Sequence, residues 1–166
     1  MDLMKDKIPT NVRRPQPPLL RKQVLNEQCT DPLTRSERSE RMSRIRSKHT
    51  QPELRVRHLI LRMGYRYRLH SKRLPCRPDI VFPGKKKIIL VHGCFWHRHP
   101  NKRCRLARLP KSKLGFWLTK LEGNRVRDAA NIAKLRRLGW RVLTLWECEV
   151  RKSNLENRIL RFLERV

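Results

Sequence analysis

Acidic residues are scarce in this chain of 166 residues: 14 Asp and Glu stand against 42 Lys and Arg, which gives a formal net charge of +28. A compact protein with such an excess repels itself unless a polyanion lies beside it. The excess lies mainly after residue 34, because residues 1–34 hold six basic and four acidic side chains. Nucleic acid is therefore the expected partner of the main part of the chain.

Long hydrophobic runs are also lacking. Hydrophobic residues make up 38% of the chain and are interspersed with charges, too scattered for a membrane span or a signal peptide. We therefore expect a cytoplasmic protein with no membrane partner. Residues 1–30 contain a proline cluster at 15–18 and no hydrophobic periodicity, which is typical of a disordered extension. Residues 31–166 have the length of one domain.

The number of cysteines is odd. The five are Cys29, Cys76, Cys94, Cys104 and Cys148. An odd set in a chain without an export signal argues against a disulfide framework and favours metal binding for some of them. Cys94, His99 and Cys104 have the spacing C-x4-H-x4-C, and Cys148 would complete a tetrahedral zinc site. The alternative is that Cys148 is only buried at the end of a strand and that Cys104 is a free surface thiol.

The first half of the chain predicts two helices. A short basic helix is indicated from Thr34 to Lys48 by its weak apolar periodicity. A clearer helix follows Thr50, with Glu53 closing a capping box, and ends at Gly64. Glu53 is either an accessory acid of a functional site or no more than this cap.

Period-two alternation and turn signals predict the sheet. A further helix from 114 to 138, or two helices broken near Gly123, and an amphipathic helix from about Asn154 accompany it. The order α-β-β-β-α-β-α, with the first three strands as a meander, predicts an α/β fold with a mixed sheet flanked by helices. The predicted strands are 65–69, 79–82, 87–91 and 141–146.

A single carboxylate, that of Asp79, lies among 19 Lys or Arg in the 68 residues from Leu54 to Leu121. The positive surroundings favour its ionised form, and its position at the start of an apolar strand predicts a sheet edge or cleft. One interpretation is a salt bridge with Arg77 or a turn residue. We favour the other, a ligand of Mg²⁺, because a nucleic-acid surface gains from a lone acid only if the acid holds a divalent cation against the phosphate.

Three histidines lie within eight positions after the third predicted strand. His92 and His97 are candidates for general acid and base in phosphodiester hydrolysis, since imidazole titrates near neutrality. The alternative is that they are ordinary surface residues of a loop. Asp128 is either an acid that orients a catalytic histidine or a helix-surface charge paired with Arg127.

Four large aromatic residues lie within basic sequence, namely Phe95, Trp96, Phe116 and Trp117. Such side chains can wedge between base steps and kink a duplex. Core packing is the competing interpretation, and it is favoured for Trp117, which lies on a predicted amphipathic helix. Trp140 and Trp146 are assigned to packing.

Several motifs occur in an order that matches one known family over about residues 31–150. The most specific is the string HGCFWH at 92–97. The others are Met42–Arg46, Thr50–Glu53, Arg77–Val81, Phe116-Trp117, Asn124–Asp128 and Leu138–Cys148. With these motifs the chain resembles the very short patch repair (Vsr) mismatch endonucleases, a bacterial family with a restriction-endonuclease-like fold.

The resemblance implies a Mg²⁺-dependent endonuclease that nicks DNA on the 5′ side of the thymine in a T:G mismatch, the product of 5-methylcytosine deamination. The nick leaves a 5′-phosphate and initiates very short patch repair. By motif matching, Asp79 would hold Mg²⁺ with the backbone carbonyl of Val91. His97 would activate the attacking water with support from Asp128, and His92 would lie near the scissile phosphate.

The resemblance also implies DNA contacts and a zinc site. Phe95, Trp96 and Trp117 would intercalate beside the mismatch, and the helix around Met42 would enter from the other groove. The structural Zn²⁺ would be held by Cys94, His99, Cys104 and Cys148, with the segment 100–103 lengthening the gap that is typical of the family.

The implied setting is a monomer in the bacterial cytoplasm, associated with the nucleoid, acting on double-stranded DNA with mismatch-repair proteins as candidate partners. Two alternatives stay open from the residues themselves. One is a zinc-stabilised DNA-binding protein without catalysis, and the other is a restriction-type endonuclease of the same fold.

Overall fold

The computed structural model of the chain describes residues 33–44 and 48–165. The predicted extension 1–30, with Cys29, lies outside the described residues, as do two residues of the Met42–Arg46 motif. The predicted order α-β-β-β-α-β-α is confirmed from the second helix onward, and a short basic helix precedes it. The elements are α1 Arg35–Ser43, α2 Gln51–Arg62, β1 Arg68–Leu69, β2 Ile80–Phe82, β3 Lys87–His92, α3 Leu114–Arg137, β4 Arg141–Trp146 and α4 Leu155–Glu164.

The four strands form one mixed sheet in the order β1-β2-β3-β4. The first three strands are antiparallel, as the predicted meander requires, and β4 pairs in parallel with β3, placing His92 opposite Trp146. A parallel pair needs a crossover connection, and α3 lies within it. Because β3 and β4 run in the same direction, the residues that follow both strands meet at one end of the sheet.

Two apolar clusters cover the two faces of the sheet. Alternation along the strands sends Ile80 and Ile89 to one face, against α2 and α4, and Val81 and Ile88 to the other, where they meet Leu135 of α3. The two layers of helices therefore lie on opposite faces. The buried helical residues of the first face are Val56, Ile60, Leu155, Ile159 and Leu163.

Glycines at positive φ end two of the helices. Gly64 follows α2 with φ of 80°, and Gly139 follows α3 with φ of 78°, a conformation that glycine adopts without steric cost. At the start of α2, the Glu53 carboxylate accepts the backbone N–H of Thr50 at 3.3 Å, as the predicted cap requires. Gly123 does not interrupt α3, so the single-helix alternative is the observed one.

One strand is shorter than predicted, and another is only partly buried. The predicted strand 65–69 is reduced to Arg68–Leu69, because its partner β2 has only three residues to pair with. Tyr65 and Tyr67 still pack edge-on against Phe82, at ring distances of 6.5 and 6.3 Å. Within β4 only Leu145 is fully buried, because β4 is an edge strand. None of the described helices is both long and apolar enough to span a membrane.

Candidate active site

A cavity of about 650 Å³ opens where the chain leaves β3 and β4. Its walls come from α1, α2, the start of β2, the loop after β3 and α3. The lining includes most of the residues that the sequence singled out: Met42, Glu53, Asp79, Val91, His92, Trp96, His97 and Asp128.

Asp79 lies immediately before β2 and faces the end of β3. Its Oδ2 accepts the backbone N–H of Val91 at 2.8 Å. Burial raises the pKa of Asp79 to about 6, opposed chiefly by this hydrogen bond. Since the N–H and C=O of a strand residue point to the same side, the Val91 carbonyl lies on the Asp79 side of β3. The alternative salt bridge with Arg77 is not among the ion pairs of the described residues.

His97 and Asp128 form a hydrogen-bonded pair across the cavity. Nδ1 of His97 lies 2.6 Å from Oδ2 of Asp128, which α3 supplies. The His92 ring stacks on the His97 ring, with centroids 4.0 Å apart and planes at 11°. Burial is the main cause that lowers the pKa of His92 to about 4, and the neighbouring His97 is the second cause. His92 is therefore neutral near pH 7. Asp128 thus contacts a histidine, and the alternative pairing with Arg127 is not among the ion pairs of the described part of the chain.

Glu53 does more than cap α2. Its buried carboxylate pairs with the buried guanidinium of Arg57, which also donates to Nε2 of His70 at 3.1 Å and Nδ1 of His49 at 2.8 Å. The ligand-type atoms of Glu53, His70 and Asp79 lie within 4.8 Å of one another. The Arg57 guanidinium, however, already places a positive charge beside Glu53 and His70. Sequence reasoning missed Arg57 and both histidines, and the i,i+4 spacing of Glu53 and Arg57 was the available signal.

A second cluster of ligand-type side chains follows from the same loop. The ligand atoms of Cys94, His99 and Cys148 lie within 4.8 Å of one another, with Cys148 Sγ 3.6 Å from His99 Nε2. The Cys104 thiol contributes to the raised pKa of both Cys94 and Cys148. Burial raises the pKa of Cys94 to about 12 and also raises that of Cys148. Three of the four predicted zinc ligands therefore come together, whereas Cys104 lies outside this group and Cys76 lines the cavity.

Trp146 separates the two clusters. Its ring meets His92 edge-on at 5.4 Å and His99 at 4.4 Å. Next to Trp146, the carboxylate of Glu147, which lines the cavity, accepts the backbone N–H of Cys94 at 3.3 Å. Trp146 was expected only to fill the core, and it also holds one histidine of each cluster in place.

The four aromatic residues form a surface cluster beside the cavity. Phe95 contacts Trp96 at 5.0 Å and Trp117 at 5.3 Å, and Phe116 contacts Trp117 at 5.3 Å. The Lys120 ammonium lies over three of these rings at 5.6–5.9 Å. Trp117 packs here and in neither core cluster of the described residues, so the core interpretation of Trp117 is wrong. Of these residues Phe116 is 57% exposed.

These features define a mixed α/β protein with a histidine- and carboxylate-lined cleft beside a basic aromatic surface. The family model described as DNA mismatch endonuclease Vsr matches residues 30–103. The Type II nicking enzyme V.XorIIP of Xanthomonas oryzae pv. oryzae is 47% identical over 136 residues, covering 81% of this chain and 98% of that protein. The chain belongs to the Vsr family, and the resemblance stated from its motifs is confirmed.

Two other similar proteins complete the comparison. The DNA mismatch endonuclease Vsr of Escherichia coli K12 is 40% identical over 114 residues, covering 69% of this chain and 71% of that protein. Among solved structures, the catalytic domain of the homing endonuclease I-Bth0305I matches with a TM-score of 0.46 and 22% identity, over 68% of this chain and 93% of that domain. The two curated relatives are thus named as a nicking enzyme and as a DNA mismatch endonuclease.

Proposed function

We propose that this protein is a Mg²⁺-dependent endonuclease that nicks DNA on the 5′ side of the thymine in a T:G mismatch left by 5-methylcytosine deamination, and so initiates very short patch repair. The observation that carries the proposal is the convergence of Asp79 and the His97–Asp128 pair on one cleft. Relatives named as nicking enzymes support cleavage of one strand, and the mismatch endonuclease of E. coli supports the target.

Asp79 and the carbonyl of Val91 suit Mg²⁺, which takes one or two carboxylates together with other oxygen ligands. The Val91 N–H holds one oxygen of Asp79, and the other oxygen has no hydrogen-bond partner among the described residues. Burial is the main cause of the raised pKa of Asp79, because a carboxylate that is taken out of water favours its neutral form. Mg²⁺ at this position would polarise the scissile phosphate.

The histidines carry the proton transfers. Asp128 accepts from Nδ1 of His97, which leaves Nε2 of His97 free to take a proton from the attacking water. As the water oxygen bonds to phosphorus, the bond from phosphorus to the 3′ oxygen breaks, the 3′ oxygen leaves with a proton from solvent water, and the phosphate stays on the thymine side. His92, neutral because of its lowered pKa, supplies a hydrogen-bonding ring near that phosphate.

We also assign a structural Zn²⁺ to Cys94, His99, Cys104 and Cys148. Three thiols and an imidazole are a common tetrahedral donor set for zinc. Two of these thiols and the imidazole lie together at the loop after β3 and the end of β4, and Cys104 would supply the fourth ligand. Zinc would tie these two segments together. Because His97 lies within that loop, the tie would fix the position of its ring opposite Asp128.

The aromatic cluster and α1 supply the DNA contacts of the proposal. Phe95, Trp96 and Trp117 would enter the stack beside the mismatch, and Met42, which reaches the cavity from α1, would approach from the other groove. We assign the restriction-endonuclease-like fold to the chain, which would act as a monomer on nucleoid DNA in the bacterial cytoplasm. Mismatch-repair proteins are its candidate partners.

The test compares two duplexes of one sequence, with a T:G or a C:G pair at the same position, with and without added Mg²⁺. Only the T:G duplex with Mg²⁺ should be nicked, leaving a 5′-phosphate on the thymine. Asp79→Asn should abolish nicking and retain binding, whereas the exposed control Glu156→Gln should match the unmodified protein. Equal nicking of the C:G duplex would favour a restriction-type enzyme, and binding without nicking would favour a DNA-binding protein.

A further inference from the structure

A basic groove of about 670 Å³ lies away from the cleft, between the end of α3, the outer edge of β4 and α4. The proposed function does not use it. Its described lining contains no Asp or Glu, and Trp140 and Phe162 contribute aromatic rings. Five arginines line this arginine groove: Arg136, Arg141, Arg158, Arg161 and Arg165.

Most of this charge is uncompensated. Arg158 pairs with Glu149 at 2.7 Å, and the Arg141 guanidinium donates to a backbone carbonyl at 3.0 Å. Among the described ion pairs, no other arginine of the groove has a carboxylate within 4.0 Å. The Lys86 ammonium adds a further charge over the Trp140 ring at 5.3 Å. The arginine groove therefore attracts an anionic ligand.

The groove also exposes the backbone edge of β4, which has no strand on its outer side within the described sheet. Arg141 N–H bonds to the Lys86 carbonyl at 2.9 Å, so the alternate residues Val142 and Thr144 point their backbone groups outward. Arg158 takes the Thr144 carbonyl at 3.2 Å. The N–H and C=O of Val142 and the N–H of Thr144 have no partner among the described residues. Such groups are a template for an added strand.

We propose that the arginine groove binds an extended acidic segment of another protein, which adds to the edge of β4 while its carboxylates pair with the arginines. A nucleic-acid backbone would satisfy the arginines but offers no N–H to the Val142 carbonyl, whereas a peptide supplies both donors and acceptors. The groove begins at Arg141, and Trp146 at the cleft end of β4 is about 17 Å of strand away. Peptide and DNA would thus occupy opposite ends of the strand pair.

The test measures binding of a short fluorescein-labelled peptide of alternating Glu and Val to the full chain by anisotropy, at about 0.15 M salt. Arg136→Glu with Arg161→Glu should weaken binding at least about tenfold. The control, Arg62→Glu with Arg66→Glu, makes the same change in net charge outside the groove and should retain binding. Equal losses in both double variants would show unspecific attraction and overturn the proposal.

Two further arms test the edge pairing and the class of ligand. The same peptide with alternate amides N-methylated keeps its charge but cannot complete the ladder, and it should bind at least about fivefold more weakly. Unchanged binding would contradict strand addition. Matched duplex DNA should bind the protein without displacing the peptide. T:G nicking by the groove variant should be retained. Parallel loss of DNA and peptide binding would make the groove a DNA contact and the proposal wrong.

Discussion

The loop after β3 contributes side chains to two clusters of ligand-type residues, and different interactions hold the two clusters. On the cleft side, His97 bonds to Asp128 at 2.6 Å and Asp79 accepts the Val91 N–H at 2.8 Å. On the other side, the buried Cys94 thiol and the half-buried Cys148 thiol have raised pKa values. They are held by the Cys148 N–H, by each other and by His99, and thiols are weak donors and acceptors. The cleft cluster is therefore organised by its own hydrogen bonds, whereas the thiol cluster would be organised by a bound cation.

Removing metal from the thiol cluster should have the largest effect. We expect about one zinc per chain by elemental analysis, and loss of the folded circular-dichroism signal in chelator, because structural zinc contributes on the order of 10 kcal/mol. Cys148→Ser should lose zinc, and Cys76→Ser, whose thiol lies outside the cluster, should keep it. A zinc-free protein that stays folded would contradict this, because the thiol cluster would then hold its structure without a metal, as the cleft cluster does.

A change to one hydrogen bond of the cleft cluster should remove most of the nicking activity without unfolding the protein. In Asp128→Asn the amide can donate to Nδ1 of His97 and so favours the tautomer with a proton on Nε2, which cannot accept one from water. Nicking of the T:G duplex should fall by about a thousandfold or more, with zinc content and DNA binding unchanged. The exposed Glu122→Gln on the same helix is the control, and an equal loss there would point to a general electrostatic effect.

A third variant compares a buried with an exposed ion pair. Side chains of Arg57 and Glu53 are 5% and 4% exposed, and those of Arg125 and Glu122 are 58% and 48% exposed. Arg57→Met leaves a buried carboxylate unpaired and should lower the free energy of unfolding by about 3–5 kcal/mol, whereas Arg125→Met should cost less than about 1 kcal/mol. Denaturant titration measures both. Adding Glu53→Gln to Arg57→Met should recover stability, and no recovery would mean that the loss comes from packing.

The sequence predicted the elements and most of the site because both follow local rules. The C-x4-H-x4-C spacing and the lone Asp79 indicate metal ligands by residue type alone. The parallel pairing of β4 with β3 then places Cys148 beside Cys94. The same rules could not reveal Arg57, because its significance comes from His49 and His70, which only the tertiary fold brings to its guanidinium. Trp117 was misjudged because an amphipathic pattern shows that one helical face is covered but not what covers it.

The buried carboxylate of the cleft gives a pH test. Asp79 titrates near 3.8 in the unfolded chain and near 6 in the folded one, so the folded state holds the extra proton between these values. Stability from protonated Asp79 is present below about pH 4 and is lost as pH rises through about 6, at most about 3 kcal/mol. The difference in unfolding free energy between the unmodified protein and Asp79→Asn in Mg²⁺-free buffer isolates it. A flat difference would mean that Asp79 is not buried as a free carboxylate.

The smallest expected effect lies at the aromatic surface beside the cleft. Phe116 is 57% exposed, as is Val126 on the same helix, so truncating either should leave the unfolding free energy nearly unchanged. If the cluster stacks on bases, Phe116→Ala should weaken binding of the T:G duplex by about 1 kcal/mol, or about fivefold, while Val126→Ala should not. Fluorescence titration of both variants decides this. Equal affinities would confine base contacts to the three rings that are less exposed, and the cleft side would then carry its DNA contacts closer to the His97–Asp128 pair.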